Sequence, residues 1–228
     1  MLGILGGMGP QATLYFYQKI IDLCPAKSDQ EHIPTLIMSD TSIPDRTTAI
    51  ISKKTNEIKN TLVKNAIKLE KAGATVVVMP CNTAHYWADS IQNVLNVPFI
   101  NMIELVASHI KQKDSGGKIG LFSTIGTAKS EIYQTTFRSH ELTVLSPPVI
   151  TQKKISHIIE DIKSGESIHP LSKRIEFEIE RWQQEDDIKS FILGCTELPL
   201  LFPKFVPEHV IDPMEILARH VVTNLFKK

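Results

Sequence analysis

Val77-Val78-Met79-Pro80-Cys81-Asn82-Thr83-Ala84 and Phe191-Ile192-Leu193-Gly194-Cys195-Thr196-Glu197-Leu198 share one pattern, 114 residues apart. Each is an apolar run of strand type, a small or cyclic residue, a cysteine, and polar residues that open the next segment. A second pair lies at nearly the same spacing. Leu2-Gly3-Ile4-Leu5-Gly6-Gly7-Met8-Gly9 resembles Ile119-Gly120-Leu121-Phe122-Ser123-Thr124-Ile125-Gly126, 117 residues on. Two matches at almost one offset predict two similar lobes. The competing explanation is that any two strand–helix units look alike.

Outward from these stretches, short apolar runs alternate with helical ones. The pattern predicts strands at Leu2–Leu5, Thr35–Ser39, Thr75–Met79, Pro98–Asn101, Lys118–Phe122, Leu142–Leu145, Lys189–Leu193 and Val210–Ile211. It predicts helices at Ala12–Leu23, Ser52–Ala72, Thr83–Leu95, Ile103–Lys111, Thr127–Ser139, Gln152–Lys163, Pro170–Gln184 and Pro213–Phe226. The strands are continuously apolar rather than alternating, as in a parallel sheet covered on both faces. The expected fold is therefore α/β: two pseudo-symmetric, Rossmann-like lobes with parallel sheets and the active site in the cleft between them. Residues 1–100 with 206–228 are expected to form the first lobe and residues 101–205 the second. Ser115-Gly116-Gly117 reads as a turn inside the second lobe, not a linker.

The 228 residues carry 25 Lys+Arg and 25 Asp+Glu, a formal net charge of zero. That balance argues against a nucleic-acid or anionic-membrane partner, so affinity for an anion has to come from a few placed residues. The opening MLGILGGMGP has no basic stretch and no long apolar core, so it does not read as a signal peptide, and the cytoplasm is the expected location. Cys24, Cys81 and Cys195 are few and far apart, as expected of free thiols rather than a disulfide framework, and no metal-ligand spacing appears.

In each repeat the cysteine follows a strand and precedes a predicted helix, at the strand end where open α/β sheets bind ligands. A helix N-terminus behind the thiol is expected to lower its pKa and favour thiolate. The plain alternative is that both cysteines are small buried apolar residues. If the lobes face each other, two thiols across one cleft suit racemisation. One thiolate takes a Cα proton while the facing thiol delivers another to the opposite face. The charge developing on the substrate carboxylate needs donors, and Asn82, Thr83, Thr196 and the Gly6–Gly9 turn are candidates.

GILGGMGP (3–10), IPDRT (43–47), MPCNTAH (79–85), STIGT (123–127), IKSG (162–165), GCTEL (194–198) and IDPM (211–214) occur in order over nearly the whole chain. Together they resemble the aspartate racemase branch of the aspartate/glutamate racemase superfamily. The resemblance implies two pseudo-symmetric α/β lobes, a homodimer, an acidic amino acid as substrate, and neither pyridoxal phosphate nor a metal. It matches the catalytic pair to Cys81 and Cys195. It matches the substrate contacts to Met8, Gly9, Arg46, Asn82, Thr83, Thr124, Thr127, Lys163 and Thr196. Arginine binds a carboxylate through two parallel hydrogen bonds and lysine as a point charge, so Arg46 and Lys163 would select a second carboxylate. Read without the resemblance, both are ordinary solvated cations.

Glutamate racemases carry a serine-bearing acidic N-terminal turn and a histidine after the threonine of the second cysteine motif. Here the turn is Gly6-Gly7-Met8-Gly9 and the residue after Thr196 is Glu197. Glu197 either tunes Cys195 or caps a helix start. His85, four residues after Cys81, is expected to pack beneath the thiol rather than act on it, and Cys24 to be a bystander. A related racemase or isomerase (glutamate, broad-specificity amino acids, a hydantoin or a maleate-type substrate) and a non-catalytic small-molecule binder remain as alternatives.

Overall fold

The computed structural model describes residues 1–113, 117–202 and 207–226, without the side chain of Glu185. Two four-stranded sheets are present, every pairing parallel. The first holds β1 (Leu2–Gly6), β2 (Thr35–Ser39), β3 (Val76–Val78) and β4 (Phe99–Ile100) in the order β2-β1-β3-β4. The second holds β5 (Lys118–Ser123), β6 (Val144–Leu145), β7 (Ile188–Gly194) and β8 (Val210–Ile211) in the order β6-β5-β7-β8. Order and direction are the same in both, so the sequence repeat is a repeat of topology.

The chain divides into two compact units, Met1–Leu105 with Met214–Lys228, and Val106–Pro213. Val210–Ile211, expected with the first lobe, pairs instead with Phe191–Ile192 of β7. Only the following helix, α10 (Pro213–Leu225), belongs to the first unit. The reason lies in its apolar stripe: Met214, Leu217, Ala218 and Val221 pack with Leu2, Ile4, Val76 and Val78 and with Phe16 and Ile20 of α1 (Pro10–Leu23). Leu5 and Val77 point the other way. They pack with Ile58, Leu62, Ala66 and Leu69 of α3 (Asn56–Lys71). Alternate residues of β1 and β3 therefore enter two different cores, which is why these central strands read as continuously apolar.

In the second unit the sheet packs on α8 (Val149–Lys163) and α9 (Ile168–Asp186), through Ile155, Ile158, Ile159, Ile175, Ile179 and Trp182 against Phe122, Phe191 and Leu193. Several expected helices are broken. Thr127–Ser139 is two helices, α6 (Ile125–Ser130) and α7 (Ile132–Ser139), separated by Glu131 at φ 55°. Thr83–Leu95 is a 3₁₀ turn, Thr83–Trp87, followed by a short α4 (Ala88–Gln92). The helix α5 (Met102–Gln112) is close to expectation. A further short helix, α2 (Arg46–Ser52), lies in what reads as loop. Most of the Ser115-Gly116-Gly117 turn and the expected boundary at residues 205–206 lie outside the described residues.

The turn after β1 needs its glycines. Gly7 sits at φ +94°, and a Cβ there would come within 2.4 Å of the Asp40 backbone. Thr13 holds the turn from α1: its Oγ1 accepts from Gly7 N–H at 2.9 Å and donates to the Gly9 carbonyl at 2.9 Å. Gly7→Ala combines a left-handed conformation with a backbone clash. It should destabilise the protein by at least about 1–2 kcal/mol, read as a lower midpoint in urea.

Candidate active site

With β1 beside β3 and β2 and β4 outside them, successive connections leave the β1–β3 seam in opposite directions. That seam is the switch point of the first sheet, and the β5–β7 seam is its counterpart. Ligands of open α/β sheets bind at the carboxyl ends of the strands flanking such a point. The loops there are Gly7–Gly9 and Met79–Thr83 in the first unit, and Thr124 onward and Cys195–Glu197 in the second.

In the first unit Cys81 is buried, 4% exposed, with Asn82 at 2% and Thr83 at 6%. Its peptide is clamped: Cys81 N–H donates to the Met79 carbonyl at 2.8 Å, and its own carbonyl faces His85 Nδ1 at 2.8 Å. The far ring nitrogen of His85 lies 3.0 Å from Met102 N–H. A backbone N–H can only donate, so Nε2 is the acceptor and Nδ1 carries the proton to Cys81. His85 is thus a neutral strut between the cysteine loop and the first turn of α5, bonded to the Cys81 carbonyl. Full burial drives its pKa from 6.5 to about 4 despite the carbonyl partner.

Arg46 starts α2, whose N-cap Asp45 accepts from Thr48 N–H at 2.7 Å. Its guanidinium donates only to main-chain carbonyls: Ile43 at 3.4 Å, Pro44 at 3.2 Å and Met8 at 3.4 Å. The buried Nε has no hydrogen-bond partner, and Arg46 forms no ion pair among the described residues. The structure thus brings Arg46 to Met8 of the turn after β1, with main-chain carbonyls as the partners of its guanidinium among the described residues. The Asp40 carboxyl, in the loop after β2, is held below its usual range by hydrogen bonds from Ser42 and Asn65.

In the second unit Cys195 is 5% exposed and its Sγ–H donates to Glu197 Oε2 at 2.9 Å. Glu197, 5% exposed, also accepts from Thr196 Oγ1 at 3.3 Å. The chain then enters a four-residue 3₁₀ turn, Leu198–Leu201, and Glu197 makes no side-chain cap. The expected thiolate-favouring helix terminus is absent at Cys195. Burial, then the Glu197 charge, push its pKa well above the ordinary thiol value, against the opposing pull of Lys163 and of the Glu197 backbone N–H. The electrostatic effect of Lys163, last residue of α8, places that cation near the thiol. Tyr133 of α7, fully buried, feels both Cys195 and Asp212, and its phenol is pushed up. Sequence reading missed Tyr133; Asp212 lay within the IDPM motif without a role.

Thr124 is the N-cap of α6, accepting from Thr127 N–H at 3.1 Å, and the two hydroxyls lie 3.1 Å apart. Cys24 caps the end of α1, far in sequence from either cysteine loop, and all three cysteines are buried thiols outside any disulfide.

Residues 5–221 match the Asp/Glu/Hydantoin racemase family model, and the chain belongs to that family, as a racemase of the Asp/Glu superfamily. A broad specificity amino-acid racemase of Bacillus subtilis is 29% identical over 98% of this chain and 97% of its own length. The structure of an aspartate racemase from Picrophilus torridus superposes with a TM-score of 0.85 at 31% identity, covering 100% of this chain and 94% of that one. An aspartate racemase homologue from Pyrococcus horikoshii gives 0.79 at 28%, covering 99% of both chains.

The His85 strut has a pH signature. Between pH 6.5 and about 4 the unfolded state binds a proton that the folded state refuses. This group's contribution is therefore whole above pH 6.5 and falls as pH drops, by about 3 kcal/mol at pH 4. Denaturation midpoints of wild type and His85→Gln, compared over that window, should show the steeper fall in the wild type.

Proposed function

We propose that the chain racemises an acidic amino acid, aspartate first, by moving the Cα proton between Cys81 and Cys195 without a cofactor. The observation that carries this reading is the equivalence of the two thiols: each is buried in the loop after the third strand of a four-stranded parallel sheet, at its switch point. One thiolate removes the Cα proton; the other thiol gives its proton to the opposite face. No bond to the substrate forms on either sulfur. The carbanion's charge spreads onto the α-carboxylate, which the main-chain N–H groups of Asn82, Thr83 and Thr196, the Asn82 amide and the two threonine hydroxyls would receive, with the N–H groups of Met8 and Gly9 and the hydroxyls of Thr124 and Thr127 as further donors.

The acidic preference rests on Arg46 and Lys163. Arg46 has only carbonyl partners and a buried Nε to spare, so a carboxylate would find an orienting cation there. The names of the structural relatives support aspartate. The name of the B. subtilis relative supports a second reading, a racemase of wider range, and the two differ in what Arg46 is for.

Incubation of L-aspartate, glutamate, neutral amino acids and a chiral hydantoin in heavy water separates these readings by Cα exchange and loss of optical rotation, and maleate is followed by the appearance of its trans isomer. Aspartate should exchange fastest. Cys81→Ser and Cys195→Ser should each lower turnover by roughly 10²–10⁴-fold. Arg46→Ala should cut kcat/KM for aspartate by roughly 10–100-fold and leave a neutral amino acid nearly unchanged. Equal losses for both substrates favour the broad racemase; no exchange with any of them removes the racemase mechanism.

A further inference from the structure

The two halves of the repeat differ at one chemically decisive place. The second residue after Cys81 is Thr83; the second residue after Cys195 is Glu197. A neutral hydroxyl stands in one half where a carboxylate stands in the other. That carboxylate is buried with the thiol and accepts its hydrogen bond at 2.9 Å. Two-base racemisation needs one thiol and one thiolate at a time. A thiolate at Cys195 would sit beside a carboxylate away from water, where like charges are poorly screened.

Resting on the racemase reading above, we propose that Glu197 is the positioning residue of the pair: it holds the single shared proton on Cys195 in the resting enzyme, so that the resting form has Cys81 as its base. That form takes the enantiomer whose Cα–H faces Cys81; the other enantiomer is taken by the form with the proton on Cys81. The proton count closes. Cys81 thiolate takes the Cα proton, breaking C–H and forming S–H. The carbon's electron pair passes into the substrate carboxylate and returns to form C–H at the opposite face as Cys195 S–H breaks. Cys195 thiolate is left beside Glu197, and solvent water carries a proton to it as Cys81 loses one. The Cys195–Glu197 contact resets the enzyme after every such turnover.

The other charged and titratable groups around Cys195 do not cancel this bias. Lys163 at the end of α8 opposes it. Tyr133 on α7 is fully buried and adds no positive charge, and Asp212, which follows β8, contributes a further acid beside Tyr133. Burial and the Glu197 carboxylate outweigh Lys163 and the Glu197 backbone N–H, which both favour the thiolate, in holding the proton on sulfur.

Iodoacetamide alkylation of the full chain, followed from pH 6 to 10 by mass spectrometry of the Cys81 and Cys195 peptides separately, tests the assignment without any substrate. In the wild type Cys195 should react with a midpoint at higher pH than Cys81. Glu197→Gln keeps the shape and an acceptor oxygen but removes the charge. It should lower the Cys195 midpoint by about one pH unit or more and leave that of Cys81 in place. Glu197→Asp should retain most of the gap. Cys195 reacting with or before Cys81 in the wild type overturns the proposal even if Glu197→Gln does not fold; so does a Cys195 midpoint that Glu197→Gln fails to move. Cα exchange without the gap overturns the proposal alone, whereas the gap without exchange of any amino acid removes the racemase reading and the catalytic role of Glu197 with it.

Discussion

Everything in each unit depends on two parallel strands lying side by side: β1 with β3 in the first, β5 with β7 in the second. Parallel pairing puts both carboxyl ends at one edge of the sheet, and the outward-moving connections keep that edge open at the seam. The first strand of each seam delivers a tight turn, Gly6–Gly9 or Ser123–Gly126. The second delivers a buried thiol. Their juxtaposition within each unit is a consequence of strand order, and the side chains then determine what chemistry the edge supports.

The two edges have been specialised differently. In the first, main-chain order dominates: Thr13 pins the turn, His85 braces the Cys81 carbonyl against α5, and Arg46 leans on the Met8 carbonyl. In the second, side-chain charge dominates, with Glu197, Lys163, Tyr133 and Asp212 around or behind Cys195. A scaffold that repeats its backbone has not repeated its electrostatics.

The fold was legible because both faces of each sheet are covered, so the strands announced themselves as unbroken apolar runs and the repeat fixed their pairing into two sets. The cysteines were legible for the same reason, as the residues where those runs stop. What escaped was decided by single contacts. Asp45 caps α2, a signal present in the sequence, but seven residues are too few for an apolar period to declare a helix. The stretch after Cys81 has helical composition, yet it closes as a 3₁₀ turn around the His85 strut. Glu197 could be read as a cap or as a partner for the thiol; only the geometry chose the partner. Tyr133 looked like one more aromatic residue on a helix, and nothing local marks it as a neighbour of Cys195.

The return of α10 to the first unit has a consequence for the order in which the protein takes shape on the ribosome. The second unit is one unbroken stretch of chain, Val106–Pro213, whereas the first lacks one wall of its core until Met214, Leu217, Ala218 and Val221 have been made. Leu2, Ile4, Val76 and Val78 are synthesised early and, with α1 as their cover, wait for the α10 part of that wall while the whole second unit emerges. The half of the protein that begins first is thus the half that finishes last, and its exposed apolar face is the surface a nascent-chain chaperone would meet.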